Sequence, residues 1–223
     1  MVAKDTLEGF RSLGDLTGTV SDVLDQLGIV GAVPASVLKP SDPAARIVGR
    51  ALTVENRARK DSVPEAVARK KSGLGEIKAH MMAGAGDVLV IQGVANVSSL
   101  GGVSATVGKR QGEIGAIVDG GARDVDHSRS IGYPIWSSSV TPITGKWRVE
   151  TVAVNQAVSI VGITVNPGDL VLADECGVCF VPKERANEVL ALAQRWTAWE
   201  EDRLKKLASG ISLEEFIKLP RPE

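Results

Sequence analysis

The stretch "GDVLVIQGVANVSSLGGVSATVGKRQGEIGAIVDGGARDVD", residues 86–126, decides how this chain folds. Its two apolar runs, Val88–Ile91 and Ala116–Val118, are short and bounded by glycine, the form of buried strands. Between them Gly101 and Gly102 open a helical run that reaches about Lys109. Strand, Gly-rich turn, helix and strand therefore repeat between residues 87 and 119, which predicts a βαβ unit and an α/β fold. The second strand ends at Asp119 and runs into "GGARD", which sets a full positive charge, Arg123, directly beside a full negative one, Asp124.

Outward from this unit the pattern stays α/β. Upstream, "TGTVSDVLDQLG" (17–28) predicts a short helix with Thr19 as N-cap and Gly28 as its stop. A strand follows at "RIVGRALTVEN", then a helix from near Pro64 toward Met82, loosened by Gly73 and Gly75. Downstream, "GYPIWSSSVTP" is extended, and residues 149–181 hold short apolar runs separated by turns such as "NPGD" and "DECG". The segment 183–208 is a long amphipathic helix stopped by Gly210, with Trp196 and Trp199 on one face as packing or interface residues. No linker, repeat or low-complexity tract divides the chain, so residues 1–223 are expected to form a single domain. The C-terminal helix, about 183–209, is expected to touch a neighbouring subunit.

Bulk properties exclude several classes. The 223 residues carry 26 Lys and Arg against 27 Asp and Glu, a net charge of −1, so nothing invites nucleic acid. "RARK" at 57–60 and "RKK" at 69–71 read as a solvated face. No apolar run approaches the about 18 residues of a membrane span, and the N-terminus lacks a signal-peptide core. A soluble cytoplasmic protein is the expectation. Cys176 and Cys179, the two cysteines, would point to opposite faces of one strand and so fill structural roles.

Candidate chemistry gathers at the two Gly-rich turns. Ligands of open α/β sheets bind at the carboxyl edge of the strands, and free amides at a helix N-terminus receive anions. The turn at Gly101 and Gly102 would supply amides for a carboxylate, Arg123 would meet a second oxygen, and Asp124 could hold a divalent cation with waters. That set suits a small oxo acid chelated to a metal. The alternative reading is a surface Arg–Asp pair closing a turn. Weaker candidates are Asp126 and His127, the latter on the face of Asp124 if a helix starts there, and Glu76 with His80, spaced i,i+4 but without a third zinc ligand. Asp119 reads as a turn-former. No G-x-S-x-G, P-loop or complete G-x-G-x-x-G is present, which disfavours a serine hydrolase, an NTPase and a Rossmann enzyme.

Taken together, "GDVLVIQG", "LGGVSATVGKRQGEIGAIVDGGARDVD" and "GYPIW" resemble the family of class II 4-hydroxy-4-methyl-2-oxoglutarate aldolases and RraA-like regulators of ribonuclease E. The likeness covers most of the chain, and its most specific piece is V-x-D-G-x-x-R-D, here Val118 to Asp124. It implies a single domain of the swivelling β/β/α type with a long C-terminal helix, assembled as a homotrimer or homohexamer with active sites between subunits. It implies that Arg123 contacts the oxo acid, that Asp124 helps hold Mg²⁺ or Mn²⁺, and that the turn Gly101–Ser104 receives a pyruvyl carboxylate. It also implies a glutamate from the neighbour's last helix, matching Glu200, ten residues before Gly210.

Two departures bear on the chemistry. Many aldolases carry an acid just after the glycine matching Gly101, where this chain has Gly102, which would widen the pocket and remove a proton-transfer group. The loop around Ser36 also lacks an acid. Against that, the ribonuclease-regulating branch tends to replace the aspartate after the arginine, and Asp124 is retained. The resemblance therefore implies a divalent-metal-dependent lyase releasing pyruvate by oxaloacetate decarboxylation, by retro-aldol cleavage of a 4-hydroxy-2-oxo acid, or by both. Decarboxylation, which needs no base for a C4 hydroxyl, is expected to survive the loss of the acid better. The alternatives are a non-catalytic protein-binding regulator and a related lyase or dehydratase on a sugar-derived acid.

Overall fold

The computed structural model describes residues 2–70 and 72–220, so the last lysine of "RKK" lies outside the described residues. Helices α1 (Lys4–Arg11) and α2 (Thr17–Gln26) lead through short strands β1 (Ala32–Pro34) and β2 (Lys39–Pro40) to the long strand β3 (Ile47–Ala58). Next come α3 (Val63–Ala68), α4 (Glu76–His80), β4 (Asp87–Gln92), β5 (Ser98–Leu100), α5 (Gly102–Arg110), β6 (Gly115–Ala122), α6 (Val125–Ser130) and β7 (Ile135–Val140). The β-rich part holds β8 (Val149–Val154), β9 (Val158–Ile160), β10 (Ile163–Val165), β11 (Leu170–Ala173) and β12 (Gly177–Val181), followed by α7 (Ala186–Ala208) and α8 (Leu213–Phe216).

At the centre of a mixed sheet, β3, β4, β6 and β7 run parallel. Antiparallel β11, β12 and β1 extend one side, and β2 closes the other. Strand alternation sorts the apolar runs between two faces. Val88 and Val90 join Ile117, Trp136 and Phe180 and the β9–β10 hairpin in one core. Leu89 and Ile91 point the other way, to Ala105, Tyr133 and Ile135 beneath α4, α5 and α6. A third core, around Phe10, Leu24 and Val189, lies under α1, α2 and α7. Each fully buried large apolar side chain contributes roughly 1.5–3 kcal/mol. A one-residue slip of β4 would exchange the residues facing the two cores, which is what holds its register.

The βαβ unit has the expected elements, with one addition. After β4 the chain loops out and returns as β5, which pairs with the second half of the same neighbour: β6 pairs with β4 up to Asp119 and with β5 at Gly121 and Ala122. The ends of β5 and β6 therefore lie side by side, and the Arg123 amide donates to the Leu100 carbonyl at 3.0 Å.

Four local expectations are corrected. The helix foreseen over 64–82 is two short ones, α3 and α4. Between them Gly73 packs so closely on β8 that a Cβ there would stand 2.3 Å from the Val149 carbonyl, and the Gly75 amide donates to Thr151 Oγ1 at 2.7 Å. Helix α2 starts at Thr17 rather than behind a Thr19 cap, because Asp174, distant in sequence, accepts from the Thr17 amide at 3.0 Å and hydroxyl at 2.6 Å. The last helix begins as a 3₁₀ turn, Lys183–Arg185, and α7 ends at Ala208 before Gly210 at φ +83°. Cys176 lies exposed in the turn before β12, whereas Cys179 is buried within it, where desolvation pushes its thiol up to about 12.

Candidate active site

Arg123 and Asp124 follow the carboxyl end of β6. Asp124 has φ +54° and ψ +35°, a left-handed conformation that aspartate tolerates better than most residues, and it serves as the N-cap of α6. Its Oδ2 accepts from the Gly102 amide at 3.0 Å and stands 3.6 Å from Arg123 Nε. One carboxylate thus ties the first residue of α5 to the end of β6. Beyond that ion pair the Arg123 guanidinium has no hydrogen-bonded partner among the described residues, so its donors are available to a ligand.

Helix α5 supplies the facing wall. Gly101 precedes it in an extended conformation, and the first backbone bond of the helix runs from Ala105 N–H to Gly101 O at 2.9 Å. The amides of Val103 and Ser104 come before that bond and have no intrahelical acceptor. A Cβ at Gly101 would stand 3.0 Å from both Arg123 Nε and Asp124 Oδ2, so a larger residue would crowd the pair.

Gly101 to Ser104, Arg123 and Asp124 all line one cleft of about 250 Å³. It also takes in residues whose place sequence reasoning missed, Glu76 from α4 and Lys146 from the loop after β7. Lys146 arrives because Ser98 forms a parallel bridge to Thr144 and Ser98 N–H donates to Ile143 O at 2.9 Å. Burial raises the Glu76 carboxyl above the usual carboxylate range, against the opposing pull of its own backbone, His80 and Lys146. Glu76 Oε2 and Ser99 Oγ, both in this wall, are two of the five buried side-chain polar atoms without a partner among the described residues.

The i,i+4 pair Glu76 and His80 does not form a metal site. His80 is fully buried, with Nδ1 2.7 Å from Glu113 Oε1 and Nε2 2.8 Å from Ser104 Oγ. His127 lies outside the cleft, in an adjoining hollow, where Nε2 is 2.8 Å from Thr106 Oγ1. Nor does Gly102 leave open space: a Cβ there would meet His127 Cδ2 at 3.0 Å and Asp124 Cβ at 3.3 Å. Asp119 holds structure, accepting from Ser138 Oγ at 3.1 Å and from the Val161 amide at 2.8 Å. Glu200 is exposed on α7 and does not line the cleft of its own chain.

Among the described residues no group of three or more His, Cys, Asp or Glu side chains is placed to hold a metal, so these residues build no zinc cage. Of the two carboxyl groups that line the cleft, Glu76 is largely buried and held toward its protonated form, and Asp124, whose side chain is 50% exposed, is the donor open to a hydrated cation. That fits Mg²⁺ or Mn²⁺, which keep several waters and complete their shell with substrate oxygens. A larger hollow of about 580 Å³ lies at the opposite, amino-terminal edge of the parallel strands. Its arginines are committed to structure, Arg46 to the carbonyls of Leu13 and Gly14, and Arg11 to Glu8 and the Val48 carbonyl.

Known proteins resemble this chain over most of its length. Residues 17–180 match the family model described as RraA-like, Aldolase/RraA. Protein DlpA of Legionella pneumophila is 31% identical over 201 residues, which take in 88% of this chain and 31% of DlpA, so the chain spans about a third of that relative. A protein of Halalkalibacterium halodurans named "Putative 4-hydroxy-4-methyl-2-oxoglutarate aldolase" is 28% identical over 93% of this chain and 90% of its own length. The solved structure of Streptomyces coelicolor RraAS2, described as an unusual member of the RNase ES inhibitor RraA protein family, superposes with a TM-score of 0.73 at 25% identity, covering 94% of this chain and 98% of that one.

Proposed function

The chain belongs to the RraA-like, Aldolase/RraA family, and from that premise we propose that it is a divalent-metal-dependent carbon–carbon lyase on a small 2-oxo acid, releasing pyruvate. The observation that carries this reading is one cleft in which first-turn amides of α5, an arginine with spare donors and a water-exposed aspartate converge. The relative named as an aldolase, which aligns over nearly the whole chain, supports it.

In this reading the amides of Val103 and Ser104 receive the substrate carboxylate, aided by the positive end of the helix. Arg123 lies against the keto oxygen, and Asp124 with waters would hold Mg²⁺ or Mn²⁺. When bound, the metal supplies Lewis-acid polarisation of the keto group. As the C3–C4 bond breaks, negative charge gathers on that oxygen, where Arg123 offers a charged hydrogen bond in a partly dry site. The unpartnered Ser99 and Glu76 oxygens support a polar ligand, since an unsatisfied buried polar group costs about 1–3 kcal/mol. Loss of CO₂ from oxaloacetate and retro-aldol cleavage both leave the same enolate; only the second needs a base for the C4 hydroxyl.

The assembly we propose is a homotrimer or homohexamer in which Glu200 reaches a neighbour's cleft. The exposed apolar residues Leu204, Leu207, Leu213 and Ile217 at the end of α7 and in and beside α8 support such an interface.

The test is pyruvate release from oxaloacetate and from 4-hydroxy-4-methyl-2-oxoglutarate with Mg²⁺ or Mn²⁺, with and without chelator, after subtracting the metal-only rate. Arg123→Ala and Asp124→Ala should each lose about 10²–10³-fold in rate, the first at the wild-type melting temperature and the second at a lower one, because alanine at φ +54° gives up the bond to the Gly102 amide. Wild-type protein that turns over neither substrate with metal would overturn the reading. It would then point to a sugar-derived acid or to a partner-binding role.

A further inference from the structure

Behind the α5 wall of the cleft the His80 contacts extend into a buried chain of hydrogen bonds. Tyr133 Oη donates to Glu113 Oε2 at 2.6 Å, Glu113 Oε1 lies 2.7 Å from His80 Nδ1, and His80 Nε2 lies 2.8 Å from Ser104 Oγ. His80, Glu113 and Tyr133 are 0–1% exposed, and Ser104, at 6%, is the one member that lines the cleft. Burial, with the Glu113 charge and hydrogen bond, raises the Tyr133 hydroxyl well above its ordinary range, so it remains a donor.

Tyr133 fills one carboxylate oxygen of Glu113, and the other lies within hydrogen-bond reach of His80 Nδ1. In the tautomer with its proton on Nδ1, His80 donates to Glu113 and accepts at Nε2 from Ser104, whose oxygen keeps its lone pairs for a ligand of the cleft it lines. The packing is specific to this arrangement: a Cβ at Gly108 would stand 2.3 Å from Glu113 Oε2 and 3.0 Å from His80 Cε1, so a helical glycine makes room for the pair.

We infer that Ser104, backed by His80 and Glu113, is the proton-transfer group of the cleft, doing the work that an acid at position 102 would do in related aldolases. The inference rests on the lyase reading above. In retro-aldol cleavage the substrate's C4 hydroxyl proton passes to Ser104 Oγ as the Ser104 proton passes to His80 Nε2. The electron pair of the C3–C4 bond becomes the enolate, and the imidazolium formed lies against the Glu113 carboxylate. The enolate carbon then takes a proton from Ser104 while His80 returns its proton to the serine, so the hydroxyl proton ends on C3 and the enzyme is restored. Ser104 is the catalytic residue in this scheme. His80 and Glu113 act through it as positioning residues.

Pyruvate itself is the probe, because its methyl protons exchange with D₂O through the same enolate. With Mg²⁺ or Mn²⁺, Ser104→Ala should slow this exchange and retro-aldol cleavage by about 10²-fold. Oxaloacetate decarboxylation should fall less, oxalate affinity should stay within about 2-fold, and Ser104→Thr should recover part of the rate. A second readout needs no turnover. In ¹⁵N-labelled protein, whose two histidines are separated by His127→Gln, His80 should carry its proton on Nδ1. Ser104→Ala should move the Nε2 resonance.

Active wild type with Ser104→Ala exchanging at the same rate would overturn the relay and leave the lyase reading standing. If Glu76→Gln were then inactive, the proton would belong to Glu76. Wild type that neither exchanges nor cleaves with metal would overturn both readings. A resting His80 protonated on Nε2 would overturn the relay whatever the activity.

Discussion

Glu76 shows at the scale of one residue what the cleft demands. It lies in a wall with Ser99 and Leu74, its Oε2 has no partner, and desolvation makes its charged form costly. A carboxyl whose folded pKa is raised binds protons more readily folded than unfolded. It therefore favours folding at pH below its unfolded value, and that contribution is lost as pH rises through the raised one. Glu76→Gln should gain melting temperature over wild type at pH 8 and gain little at pH 4. Thermal melts at both pH values check this, and an equal gain at both would show that desolvation of the charge is not the cause. Gly102 answers to geometry in the same way. The imidazole of His127 fills the space beside its Cα, so an acid introduced at 102 would first have to displace that ring. If the protein is the lyase proposed, the proton is handled elsewhere in the cleft, which turns the expected advantage of decarboxylation over aldol cleavage into a question about Ser104.

At the scale of elements, the segment linking α3 to α4 builds one side of the cleft. The ion pairs of Arg59 and Arg69 with Asp61 anchor its start, and contact with β8 sets its path. Gly73→Ala should push this segment off the Val149 carbonyl. The expected loss is about 1–3 kcal/mol, read as roughly 2–10 °C in Tm, together with weaker oxalate binding, since Leu74, Glu76 and Ile77 would move with it. A variant that melts like wild type and binds oxalate normally would show that the glycine is incidental. This segment also marks the limit of what sequence alone can reveal. The strands β4 and β6 were legible because glycines bound their apolar runs, and the meeting of Arg123 and Asp124 with the Gly101–Gly102 turn in one cleft because each follows an adjacent strand. Glu76 and Lys146 were not, because contacts with β8 and β5 bring them in. The pairing of His80 with Glu113, 33 residues away, rather than with a metal, likewise exists only once α4 lies across α5. Helix α2 has the same history, since its first turn is held by Asp174 from 157 residues away.

For the whole molecule, the outer end of α7 and α8 is one feature that a single chain leaves unsatisfied. Arg203 stacks over Trp199 at 4.6 Å and Phe216 at 4.0 Å, which folds α8 back on α7 and gives the terminus a defined shape. Leu213 and Ile217 nevertheless remain 73% and 76% exposed, an apolar face that a neighbouring copy would cover. If the covering copy also brings Glu200 to the cleft, each working site needs Asp124 from one subunit and Glu200 from the next. Glu200→Ala and Asp124→Ala should then be inactive separately, with a closed ring seen for both by light scattering. Refolded together in equal amounts, they should recover up to about a quarter of wild-type activity. Random assembly places an intact Asp124 beside an intact Glu200 at about one site in four. Full activity of Glu200→Ala alone would remove Glu200 from the site. Inactive variants that mix, as shown by mass, yet recover nothing would mean that Glu200 does not complete a neighbour's cleft and that Glu200→Ala loses activity by disturbing α7.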